Sequence, residues 1–190
     1  MIELSTEQIT EAADTYADTE PLVDVEEEHI RMLPKTLRGQ DIGKRDVEWV
    51  VQWYYRRHLG QYPGQQRQKA EEAFRQNDFN DVLIALDETT QQTSVVDKMQ
   101  LLTDLSGVDV PVASAFLQFL DPDAYLVTGP RTWAVLHAAG ELSKGYPNSP
   151  SVIEYNQYLK RGQAIASQCE CDCWTVYKAL WQIWKQEIQS

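Results

Sequence analysis

The sequence predicts an all-α fold, and three observations carry that expectation. Apolar residues recur every three to four positions through most of the chain, Ser, Asp and Pro stand where helices would start, and no stretch alternates apolar and polar residues as a strand does. At 190 residues and 43% hydrophobic, the chain is long enough for one sizeable core and short for two.

Taken in order, Ser5-Thr6-Glu7-Gln8 has the capping-box pattern, and Ile9, Ala12, Ala13 and Tyr16 follow at helical spacing, so a first helix is expected over about 6–17. Val25–Leu33 predicts a short second helix ending before Pro34, and Lys35–Lys44, with Gly39 and Gly43, reads as a loop. Asp46 can cap a helix running to Leu59, with Val47, Val50, Val51 and Tyr54 on one stripe, Trp49 and Trp53 beside it, and Gly60 as a stop. Pro63 opens a polar surface helix that buries little beyond Ala70, Ala73 and Phe74. Asp78 or Asn77 caps a helix carrying Phe79, Val82, Leu83 and Leu86, after which the polar run Asp87–Ser94 reads as a loop. Val95, Met99, Leu102 and Leu105 then form one more stripe. Late in the chain, Ser149-Pro150 begins a long helix to about Ala166, and Trp174, Tyr177, Leu180, Trp181 and Trp184 form a stripe within Trp174–Ile188 that must dock into the core.

Charge is distributed unevenly. The net charge is −12, yet residues 1–30 hold ten acids and no Lys or Arg, so the remainder is close to neutral. Residues 31–75 carry ten bases against five acids. An acidic N-terminal arm with a short helix (1–30) thus precedes a single all-α domain (31–190), and a solvated acidic face is the simplest reading of the first helix. No apolar run is long enough for a membrane span, and Met1–Thr10 has neither a basic start nor an apolar centre, so a cytoplasmic protein without membrane association is expected. Three cysteines confined to Cys169–Cys173 fit a reducing compartment.

The most specific stretch is Leu105–Trp133, LSGVDVPVASAFLQFLDPDAYLVTGPRTW, which reads as a glycine hairpin at 105–111, an apolar helix, an Asp-Pro turn, a short extended run at Tyr125–Val127 and a further helix. In a helix-hairpin-helix, apolar-x-Gly-apolar-Gly turns one helix into the next, and backbone N–H groups at the second helix start hold a phosphate. Leu105-Ser106-Gly107-Val108-Asp109 matches four of those five positions. With Ala113-Ser114-Ala115, the Asp-Pro turn and Tyr125-Leu126-Val127, this order resembles the helix-hairpin-helix DNA glycosylase superfamily over roughly 93–141, and WTVYKALW near the carboxy terminus resembles its closing helix.

The resemblance implies a glycosylase-like helical domain with DNA as its partner. It does not carry the family's chemistry across. Asp109 stands where the second hairpin glycine belongs, and a carboxylate there caps the helix while repelling a phosphate. Pro111 stands where bifunctional members place a nucleophilic lysine. Val127-Thr128-Gly129-Pro130-Arg131 offers no carboxylate where the family places its catalytic aspartate, and a cation at Arg131 disfavours a positively charged transition state. No catalytic residue and no cofactor are therefore assigned. The candidate nucleic-acid contacts are Gly107 and Val108 at the hairpin, Arg131, and Arg56 and Arg57, with carbonyl or dipole capping as the structural alternative for the arginines. Cys169, Cys171 and Cys173 alternate with acids and would share one side of an extended segment, a soft-metal or zinc pattern lacking an evident fourth ligand unless His137 or a carboxylate supplies it. His29, His58 and His137 are isolated in sequence, and each reads as a surface or satisfied core residue rather than a catalyst.

The expectation is a divergent, non-catalytic protein of this fold that binds nucleic acid weakly. The alternatives are a base-excision enzyme with a rearranged site using Asp121 or Asp123, and a helical domain that binds a protein partner.

Overall fold

The most apolar helix of the sequence becomes the centre of the molecule. In the computed structural model, which describes residues 2–38 and 41–189, every residue from Pro111 to Leu120 is buried. Among the described residues the chain forms helices α1 (Thr6–Thr19), α2 (Val23–Arg38), α3 (Lys44–Arg57), α4 (Gly64–Arg75), α5 (Phe79–Gln91), α6 (Val95–Thr103), α7 (Val110–Leu120), α8 (Pro130–Ala138), α9 (Val152–Gln168) and α10 (Cys173–Ile183). A π-helical turn, Trp184–Ile188, follows, and no described residue lies in a β-strand. The fold is all-α, and no helix among the described residues is long and apolar enough to cross a membrane.

Most helix starts follow the sequence's capping residues. Ser5, Asp78, Ser94, Asp109 and Asp172 each accept a hydrogen bond from a first-turn backbone N–H of the helix they precede. Asp46 sits inside the first turn of α3, where its carboxylate accepts from the Gly43 N–H at 2.9 Å. Ser151, rather than Ser149, caps α9, because Glu154 three residues on completes a reciprocal pair with it.

Two boundaries differ from expectation. Helix α2 continues through Pro34 to Arg38, while Gly39 of the expected loop lies outside the described residues. The Thr36 hydroxyl lies 3.3 Å from the Met32 carbonyl and 3.2 Å from that of Leu33, beside the position where proline supplies no N–H. Helix α5 runs to Gln91 although Asp87–Gln91 is polar. Thr89 explains this: it is 1% exposed, and its hydroxyl donates to the Ala85 carbonyl at 2.6 Å.

α7 is enclosed by α2, α3, α6 and α9, and α1 lies along α10 in the most extensive helix pairing of the structure. Ile9, Ala12, Ala13 and Tyr16 of α1 are buried there, with Tyr16 packed edge-on to Trp174 and Tyr177. The acids Glu7, Glu11, Asp14 and Asp18 face solvent, as a solvated face requires. The acidic segment is thus packed into the body along its whole first helix.

The hairpin between α6 and α7 turns at Gly107, whose φ is +80°. A Cβ on Gly107 would collide with the Ala70 carbonyl and the Phe74 N–H, so α4 lies directly against the hairpin backbone. Asn77 fastens the two: its amide donates to the Ser106 carbonyl at 2.9 Å, and its oxygen accepts from the Ser106 N–H at 2.9 Å. Gly107→Ala should cost more than about 1 kcal/mol from backbone strain alone. Urea unfolding is the check; a midpoint unchanged from the parent protein would contradict the close approach of α4.

Candidate nucleic-acid interface

The hairpin keeps its turn but commits much of the hydrogen bonding that grips a phosphate. The Ser106 N–H is held by Asn77, the Val108 N–H donates to the Leu105 carbonyl at 3.2 Å, and the Val112 N–H donates to the Asp109 carboxylate at 3.0 Å. Burial raises the pKa of Asp109, while the Val112 and Asp109 N–H groups favour its charged form. Gly107 and Val108 line a shallow surface groove with Tyr55, Gln66, Lys69, Ala70 and Asp109.

The segment after the Asp-Pro turn, expected to be extended, lies in neither a helix nor a strand. Its backbone is satisfied by side chains: the Val127 N–H donates to Gln118 at 2.8 Å, and the Thr128 N–H to the Ser114 hydroxyl at 3.0 Å. The Tyr158 hydroxyl donates to the Val127 carbonyl at 2.9 Å and lies 2.8 Å from the Thr132 hydroxyl. A buried irregular backbone is tolerated because these groups are paired. The Asp-Pro turn itself caps α10, with the Cys173 and Trp174 N–H groups donating to the Asp123 and Pro122 carbonyls.

At Gly129, where the resemblance would place a catalytic carboxylate, stands an imidazole. His58 is 1% exposed, and its Nε2 approaches Gly129 so closely that a Cβ there would collide with it. The His58 Nδ1 is 2.9 Å from the Tyr54 carbonyl, so Nδ1 carries the proton and Nε2 is a bare, unpartnered acceptor. Tyr54 and Tyr62 share a hydrogen bond at 2.7 Å beside this histidine, which packs against both rings. Of the two expected settings, surface or core, His58 takes the core.

The arginines of the basic segment divide into two kinds. Arg57 is 5% exposed and lies between two buried carboxylates, 2.8 Å from Glu20 and 3.2 Å from Glu26. Its guanidinium also donates to the Tyr16 hydroxyl at 2.9 Å and lies 3.8 Å from the centroid of Trp181. Arg57 is therefore part of the core and is not free to hold a phosphate. Arg56, one residue earlier, is exposed.

Arg131 lies between these cases. It donates to the carbonyls of Arg57 at 3.2 Å and Leu59 at 3.4 Å, capping the carboxy-terminal end of α3. Its guanidinium lies 4.6 Å from the Trp181 ring centroid and 4.5 Å from that of Trp184. No carboxylate stands within ion-pair distance of it among the described residues. Burial and the neighbouring Arg57 lower its pKa, while Tyr177 and Glu20 oppose the fall. Arg56, Arg57, Arg131 and Lys185 line one cleft of about 470 Å³ together with Glu20, Leu59 and Trp181. Three of the five sequence candidates thus converge, although Arg131 is distant from the other two in the chain. Lys185 was not among those candidates; its place at the end of the tryptophan stripe brings it to Glu20 at 2.7 Å.

The cysteines sit in the tight turn between α9 and α10. Cys169 and Cys173 are buried, Cys171 is half-buried, and Glu170 has a positive φ of 53°. Burial raises the Cys173 thiol to about 12, with Asp172 and Cys171 adding to the rise. No cluster of three metal-capable side chains forms among the described residues, so the alternating pattern does not become a ligand set there. Of the other candidate ligands and acids, His137 hydrogen-bonds the Leu142 carbonyl through Nδ1, and Asp121 lines a separate cavity beside Lys98. Comparison with family models, curated proteins and solved structures returned no match.

Burial lowers the His58 pKa to about 3; the hydrogen bond to Tyr54 opposes this, and the charges of Arg131 and Arg57 add to it. Between that value and the ordinary histidine range the unfolded chain binds the extra proton, so stability should fall as pH drops below about 6.5, by up to about 1.4 kcal/mol per unit. Imidazole NMR should show His58 neutral with Nδ1 protonated down to about pH 4. Titration near its ordinary value would overturn the buried assignment.

Proposed function

We propose that the chain is a non-catalytic, helix-hairpin-helix glycosylase-like domain that binds nucleic acid through phosphate contacts at the Arg56–Arg131 cleft rather than at its hairpin. The observation that carries this reading is Arg131, a half-buried guanidinium with no carboxylate at ion-pair distance among the described residues, brought beside exposed Arg56 in a concave site. A phosphate there would supply the charge that Arg131 lacks, and guanidinium groups match phosphate geometry well. Glu20 and Glu26 already pair with Arg57 and Lys185, so the ligand's contacts fall to Arg131 and Arg56.

Several features support binding without base excision. Asp109, Pro111 and Gly129 replace the groups the family uses, and the buried imidazole of His58 occupies the space facing Gly129. Asp121 and Asp123 belong to the turn that caps α10. The net acidity of the chain implies modest affinity, and two phosphate contacts imply a slope of log K against log salt of roughly −2 on duplex DNA.

Fluorescence anisotropy with single-stranded and duplex DNA across a salt series tests the proposal. Arg56→Ala, which removes an exposed side chain, should weaken binding to all sequences and reduce the slope of log K against log salt by about 0.9. No base should be released from damaged oligonucleotides. Absence of binding at low salt, or an unchanged slope in Arg56→Ala, would overturn the assignment of the cleft.

A further inference from the structure

Phosphate contacts leave one part of the basic cleft unused. Beside its cations stand three apolar residues from two separate connections: Pro21 and Leu22 between α1 and α2, and Leu59 in the turn after α3. Leu59 is 62% exposed, Pro21 also faces solvent, and Leu22 is half-buried. The turn has no need of a leucine, because backbone atoms build it. The Leu59 N–H donates to the Arg56 carbonyl at 3.4 Å, the Leu59 carbonyl accepts from Arg131 at 3.4 Å, and the chain reverses at Gly60, whose φ is +84°. A solitary exposed leucine is ordinary on a protein surface. Here three apolar side chains line the same cleft as Arg56 and Arg131, neither of which has a carboxylate at ion-pair distance among the described residues.

The bond from Arg131 to the Leu59 carbonyl keeps that cation and the leucine side chain within the span of one nucleotide. In a duplex the bases are paired and stacked inside, so only phosphates and sugars could reach the cleft. A single strand can turn a base out and lay it against a side chain while its phosphate meets a cation. Resting on the phosphate assignment made above, we infer that the cleft takes single-stranded nucleic acid, with a phosphate on Arg56 and Arg131 and an adjoining unstacked base against Leu59, Leu22 and Pro21. None of these three side chains carries a hydrogen-bonding group, so the base is held without regard to its identity.

The test uses the whole protein and three probes of equal length at low salt: an oligothymidine single strand, a single strand of abasic tetrahydrofuran residues, and a dA·dT duplex. The abasic strand keeps the phosphates and lacks only the bases. Oligothymidine should bind about fivefold tighter than the abasic strand, which is what burying about half of a leucine side chain is worth. Leu59→Ser should bring oligothymidine down to the level of the abasic strand, with circular dichroism confirming an intact fold. Arg56→Ala should weaken both strands by the same factor and preserve their ratio. Equal affinity of the parent protein for the two strands, or a ratio that survives in Leu59→Ser, would overturn the base contact while the Arg56 effect still supported the phosphate site. Loss of the Arg56 effect on every probe would overturn the phosphate reading beneath it. An acidic peptide of alternating Glu and Leu that bound the cleft more tightly than oligothymidine would assign it to a protein ligand instead.

Discussion

The structure depends on one buried cation. Arg57, near the end of α3, is held by Glu20 at the end of α1 and Glu26 in α2, and it lies across the face of Trp181 in α10. Glu26 also accepts hydrogen bonds from Tyr16 at 2.6 Å and Trp53 at 2.7 Å, while Glu20 accepts from Gln182 at 3.1 Å. An isolated ion in this position would carry a desolvation cost of several kcal/mol, so the four elements must converge for any one of them to be stable there. Burial raises the pKa of Glu20, but its bonds to Lys185 and Arg57 outweigh that and hold it below the usual range. Its contribution to stability is present above the unfolded carboxylate pKa and is lost as pH falls through the folded one.

That arrangement also separates structure from recognition within a single dipeptide. Arg57 is taken up by the core, whereas Arg56 points to solvent and Arg131 reaches the same cleft from α8 with no carboxylate at ion-pair distance among the described residues. The hairpin shows a similar division. Gly107 provides the turn, but α4 covers its backbone and Asn77 holds the Ser106 N–H, so the motif serves helix packing.

What the sequence made legible was local. Helix starts followed short-range signals such as Ser5, Asp78 and Asp109, whose side chains bond N–H groups two or three residues away. The stripes of α3 and α10 identified the core for the same reason, since their period is set by helix geometry. Elements whose fate depends on distant partners were misread. Asp87–Gln91 looked like a loop until Thr89 was buried, and the helix past Pro34 required a tertiary setting that outweighs one missing N–H. In the candidate site, Arg56 and Arg131 were named as cations, but the burial of Arg57 was hidden because its partners lie among acids that read as a solvated face. The surroundings of His58 were not legible either, because Gly129 and Trp181, far along the chain, help to enclose it.

The central claim is that the acidic segment and the nearly neutral body form one cooperative unit joined through Arg57. Native-state hydrogen exchange measures this directly, amide by amide. The account predicts that the amides of Ala12, Ala13 and Tyr16 in α1 exchange only through the global opening that also exposes Tyr177 and Leu180 in α10. Exchange of the α1 amides through a separate opening, with a clearly smaller free energy and α10 still protected, would contradict it.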